Sequence, residues 1–181
     1  MSKKKITSKT TLGGIIAALS VALMFMTGLI PVMTYAIPAA AGVLLTMIVI
    51  EIDKKWAFGV YAAVALLSMF LVADKEAALM YAMFFGYYPI LKAVVEKHCS
   101  VPVSWVIKLV VFNLTMVLAF LTSVYVFKIP FDAMQKYGRI AAVLLLAVGN
   151  IVFVVFDMML TNLITLYLMK WQKLLKRLFK F

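Results

Sequence analysis

Residues 140–169 read IAAVLLLAVGNIVFVVFDMMLTNLITLYLM, a long apolar run that carries Asn150, Asp157, Thr161 and Asn162 inside it. At about 100° per residue, Asn150, Asp157 and Thr161 fall within about 40° of one another on a helix, with Leu146 and Val154 flanking them on the same side. One face is polar and the others are apolar. A carboxylate near the centre of a bilayer costs about 2.5 to 3.5 kcal/mol on insertion scales, so Asp157 is expected to face a bundle interior and find a donor there. The other segments are then expected to pack around this helix. The stripe has two readings, a hydrogen-bond seam that holds helices together or a contact with a transported or bound molecule.

Outward from that run, the whole chain has the same character. Of its 181 residues 66% are apolar and 14% charged, with a mean hydropathy of +1.10, which excludes an ordinary soluble domain. A membrane span needs about 20 mainly apolar residues. Six runs qualify: 12–30, 33–52, 56–73, 77–95, 103–127 and 140–169. The expected fold is therefore an all-α integral membrane protein, a single six-helix transmembrane domain over 1–169 followed by a tail over 170–181. The first run is preceded by Lys3, Lys4, Lys5 and Lys9, as in a signal peptide. It is longer than a signal core and ends at Pro31 without a small-residue cleavage pattern, so it reads as an uncleaved span. Pro38 and Pro89 fall inside the second and fourth runs, where kinks are expected.

The net charge of +11 arises from 18 basic and 7 acidic residues. Alternate loops divide the basic residues fourteen to four. Lys54, Lys55, Lys92, Lys97 and Lys108 share the side of both termini, and Lys75, Lys128, Lys136 and Arg139 lie on the other. The positive-inside rule places both termini in the cytoplasm. The tail interleaves Trp171, Leu174, Leu175 and Leu178 with Lys170, Lys173, Lys176, Arg177 and Lys180, the pattern of an amphipathic interfacial helix. Anionic lipid is the partner this charge fits, and nucleic acid is not. The single cysteine, Cys99, excludes an internal disulfide.

Small residues recur at helical spacing. Gly14, Ala18 and Ala22 repeat every four residues in the first run, and Gly59 and Ala63 do so in the third. Such stripes either close an internal helix contact or present a smooth docking surface to another membrane protein. The fourth run carries Tyr81, Phe84, Phe85, Tyr87 and Tyr88, of which Tyr88 lies about 16 Å below the start of the run and needs a partner for its hydroxyl. Aromatic walls suit a small-ligand pocket or a packed core equally well. If the fifth and sixth spans pack antiparallel, Asn113 and Lys108 come near Asp157, a structural pair or a proton or cation relay. Thr161 continues that seam. No metalloprotease, hydrolase, P-loop or redox motif occurs, and adjacent His98 and Cys99 cannot readily oppose each other as a nucleophile pair. The sequence therefore reads as a non-enzyme with no cofactor and no metal site.

Length, six spans, inward termini and the repeat Gly14, Ala18, Ala22 together resemble the substrate-binding S-components of energy-coupling-factor transporters. Gly14 stands where that family's stripe usually has its first alanine. The resemblance implies a subunit of the bacterial plasma membrane that captures a vitamin or related micronutrient from outside. It also implies docking through Gly14, Ala18, Ala22, Gly59 and Ala63 on a membrane coupling subunit served by two cytoplasmic ATPases. Tyr81, Phe85, Tyr88, Asn150, Lys128, Lys136 and Arg139 occupy the region where that family binds its small molecule, and Asp157 is placed too deep to touch it. Two other readings stay open: an autonomous small transporter or channel that uses Asp157, and a non-catalytic membrane assembly protein.

Overall fold

The computed structural model describes residues 3–127 and 132–172, with side chains placed over 7–30, 32–127 and 143–172. Among the described residues there is no strand. The helices are α1 (Lys3–Met26), α2 (Ala36–Glu51), α3 (Lys54–Leu71), α4 (Lys75–Met80), α5 (Tyr88–His98), α6 (Val101–Tyr125) and α7 (Asp132–Leu166). A π turn, Tyr81–Phe85, carries α4 into α5, and a second, Tyr167–Trp171, ends α7. Five stretches of the described residues are long and apolar enough to cross a membrane: Thr7–Met26, Lys54–Leu71, Lys75–His98, Val101–Tyr125 and Val143–Trp171. The second expected run is realised as α2, whose 16 residues span about 24 Å, short of the ~30 Å hydrocarbon core.

Short polar connections set the helix limits. Asp53 caps α3 by accepting from the Lys54 amide at 2.7 Å, and Asp74 caps α4 by accepting from the Ala77 amide at 3.0 Å. Pro102 opens α6 and Pro89 opens α5, each in the first turn, where a missing N–H is tolerated. Pro38 is also in a first turn, because α2 begins only at Ala36. The kink expected inside the second run therefore has no cause, since the amide that proline lacks is one the helix leaves unpaired anyway. Near the end of α3, Lys75 Nζ donates to the Met69 and Val72 carbonyls at 2.8 and 2.9 Å.

The bundle is not built around α7. Half of the most apolar window of Lys75–His98 is buried, against 22% of that in Val143–Trp171. Packed on several sides instead is α2, which meets α1, α3, α4, α5 and the Tyr81–Phe85 turn. Gly42 of α2 lies so close to that turn that a methyl group there would run into the Phe85 carbonyl. By contrast, Val148, Ile151, Val152, Val155, Met158 and Met159 of α7 are exposed, and only one side of the helix, with Phe153, Phe156, Asp157 and Leu160, is buried. A carboxylate needs enclosure on its own face alone, so Asp157 does not force its helix to the centre.

Three apolar cores follow from this arrangement. One joins Met24, Ala41, Val64, Ala77, Ala78 and Tyr81 from α1 to α4 and the π turn, another is an aromatic cluster of Phe84, Tyr88, Phe112, Phe153 and Phe156 closed by Leu160, and the third packs Leu12 and Ile16 with Leu45, Ile48 and Ala57.

Candidate functional site

Asp157 is 2% exposed and holds the centre of a buried charge cluster. Its Oδ1 accepts from Tyr88 Oη at 2.5 Å and from Lys92 Nζ at 2.6 Å, and Lys108 Nζ reaches Oδ1 at 3.3 Å and Oδ2 at 3.2 Å. Both lysines also bind one further oxygen, Glu96 Oε1, at 2.7 Å from Lys92 and 2.5 Å from Lys108. The Lys92, Lys108 and Asp157 side chains are 2 to 3% exposed, whereas that of Glu96 is 43% exposed. The cluster thus holds two ammonium and two carboxylate groups and opens to the surface at Glu96.

Helical spacing builds it. Tyr88, Lys92 and Glu96 recur every four residues on α5 and so share one face. Lys108 comes from α6, where the Trp105 ring centroid lies 4.9 Å from its ammonium. α6 and α7 run antiparallel and meet in successive rungs. Lys108 meets Asp157, Phe112 stacks on Phe153 with ring centroids 4.6 Å apart, and Asn113 pairs with Asn150 through two reciprocal amide bonds of 2.9 Å. The stacked rings separate the charged rung from the amide rung. Taking an ion pair out of water costs several kcal/mol per ion, and only dense pairing of this kind offsets it.

The structure redistributes the residues singled out in the sequence. Lys108 reaches Asp157, but Asn113 does not, because the rung it occupies lies beyond the phenylalanine layer and its partner there is Asn150. Thr161 leaves the seam as well: it is exposed and its hydroxyl donates to the Asp157 carbonyl of its own helix at 2.9 Å. Tyr88 spends its hydroxyl on Asp157, and Phe85 packs edge-on against Phe84 and Phe156. Tyr81 is fully buried with no partner for its hydroxyl. These three aromatic residues therefore lie in packed core and do not wall a common opening. Lys128 and the tail beyond Gln172 lie outside the described residues, as do the side chains of Lys136 and Arg139 in α7. Lys92 and Glu96 were missed because their linear position suggests a membrane edge, although their spacing from Tyr88 was readable.

A second feature lies on the opposite flank. Gly14, Ala18, Ala22, Gly59 and Ala63 are all exposed. Between α1 and α3 runs an apolar groove of about 500 Å³, lined by Gly13, Gly14, Ala17, Gly59, Val60 and Ala63, with Trp56 and Lys55 at one end. A methyl group on Gly14 or Gly59 would meet no atom within 4 Å, so neither glycine serves a helix contact inside the chain.

On the side of the bundle where α2 begins, the Tyr35 hydroxyl donates to Glu76. Partial burial, that bond and the Glu76 and Asp74 carboxylates together raise its pKa well above the usual tyrosine value.

Apolar helices of spanning length around a buried ionic cluster define a multi-pass membrane protein. No family model matches the chain, and neither the curated proteins nor the solved structures hold a match to it.

Proposed function

We propose that this chain is a non-enzymatic substrate-capture subunit of a membrane importer, similar to the S-components of energy-coupling-factor transporters. In this reading it has six spans with both ends in the cytoplasm, binds a small molecule from outside and docks on a membrane coupling subunit driven by ATPases. The observation that carries the reading is the exposed small-residue face of α1 and α3. Small residues that pack nothing within their own chain leave a smooth surface on which another helix can approach closely. Gly14→Leu, Ala18→Leu and Ala22→Leu are expected to give folded protein that no longer copurifies with a coupling subunit. Undiminished copurification would remove the reading. The orientation has its own test. Cys99, at the end of α5, is expected to resist an impermeant thiol reagent applied outside intact cells, and ready labelling would invert the topology.

The buried cluster favours a second reading, an autonomous small transporter or channel that uses Asp157. Ionisable groups inside membrane helices line substrate and proton routes, and here four of them touch. Solute or proton flux in liposomes that contain the purified chain alone would decide for it.

A further inference from the structure

We propose that the Lys92–Lys108 pair is a binding site for the carboxylate head of a small monoanion, and that Glu96 occupies it as a tethered, displaceable stand-in. The proposal holds whether or not a partner docks on the α1/α3 face.

The two carboxylates of the cluster are not equivalent. Asp157 is fixed: it is buried, accepts from Tyr88 and from both lysines, and sits on a different helix from either. Glu96 is held through one oxygen only, and its side chain is 43% exposed near the end of α5. Rotation about its side-chain bonds would carry its carboxylate into solvent without moving a helix. Asp157 would then neutralise one of the two ammonium groups and leave one positive charge uncompensated in a buried place. A single negative charge restores the balance, and a dianion overshoots it. The slot so vacated has the size of a carboxylate, with two ammonium donors already aimed at one oxygen position.

Two further features prepare the slot for a visitor. Trp105 holds the Lys108 ammonium against its ring, so the lysine keeps a favourable neighbour when Glu96 leaves. Ser104, one turn from Lys108 on the same face of α6, is 4% exposed and its hydroxyl has no partner. A buried donor without an acceptor is costly, and a second carboxylate oxygen would satisfy it. The body of such a ligand would lie outward along the path the Glu96 stem takes, toward the end of the bundle that carries His98 and Cys99.

The test is titration of the full chain in lipid nanodiscs with butyrate, followed by calorimetry, with butylammonium as the control of equal tail and opposite charge. A tethered competitor lowers apparent affinity by the fraction of time it holds the site. Glu96→Gln, which keeps the shape and removes the charge, is expected to bind butyrate about tenfold tighter than the wild-type chain and not to bind butylammonium. Lys108→Gln added to that variant is expected to abolish the gain. Equal butyrate affinity in the wild-type chain and Glu96→Gln would overturn the proposal, as would an equal response to butylammonium. Should Glu96→Gln fail to fold, Glu96→Asp, which draws the carboxylate back by one methylene, carries the same comparison with the same two outcomes.

Discussion

The α1/α3 face and the α5–α7 cluster sit on one small bundle and treat their residues in opposite ways. Around Asp157 every ionic group has a partner and three of the four are shut away from the surroundings. Along Gly14, Ala18 and Ala22 the helix surface is exposed. Hydrocarbon penalises an exposed charge by several kcal/mol and is nearly indifferent to an exposed methyl group or glycine. Charge in a membrane helix therefore reports on the interior of its own chain. A small-residue stripe does not, and its location decides whether it belongs to the fold or to a neighbour.

The difference can be broken most sharply at Asp157. Asp157→Leu leaves Lys92 and Lys108 facing Glu96 alone, and loss of one partner from a buried pair costs about 3 to 5 kcal/mol. Asp157→Asn keeps an acceptor of the same shape for Tyr88 and is expected to lose less. Thermal unfolding of the solubilised variants measures both, and a Leu variant as stable as the wild-type chain would show that the cluster contributes nothing to the fold.

A smaller effect is expected one rung away. Asn113 and Asn150 exchange two amide bonds across α6 and α7, and interhelical hydrogen bonds in membranes are worth about 0.6 to 1.7 kcal/mol. A double-mutant cycle with Asn113→Ala and Asn150→Ala should return a coupling of that order. A coupling near zero would mean that each amide does as well on its own helix, where the Leu109 and Leu146 carbonyls already accept from them.

The smallest effect belongs to the open face. Ala18→Leu adds bulk where the side chain is exposed, so its stability should stay within about 0.5 kcal/mol of the wild-type chain. Overpacking an internal contact would cost about 1 to 3 kcal/mol. A melting temperature that falls as far as that of Asp157→Leu would assign the stripe to internal packing after all.

Much of this was readable from residue types and spacing. The apolar runs that became helices of spanning length announced themselves by length and composition, and Asp157 by being a lone acid deep within one of them. The need of Tyr88 for a hydroxyl partner was also legible, because its depth along the fourth run excluded water. Other features depend on how helices stand against one another. Lys92 looks like an edge residue because counting from the chain's polar breaks measures distance along one helix, whereas it is buried by the helices beside it and its ammonium pairs with Asp157 of α7. The pairing of Asn113 with Asn150 in place of Asp157 depends on the antiparallel register, which is set by the Phe112–Phe153 stack and has no local signature. The aromatic run of the fourth span fitted a pocket wall and a packed core equally, and only the ring contacts separate them.

The π turn between α4 and α5 closes through a bond from the Gly86 amide to the Tyr81 carbonyl, five residues apart, where an α-helix would use four. It acts as a phase shifter, one surplus residue that sets the azimuth of everything after it. Straightening Tyr81–Phe85 into ordinary helix with its length unchanged would rotate α5 by about 100° relative to α4. Ala77 and Ala78 would keep their places in the first core, while Tyr88, Lys92 and Glu96 would swing off the Asp157 side together. The ionic site is thus keyed to the winding of a segment that contributes no charge to it, and rewinding that one turn would erase the site with every charged side chain still present.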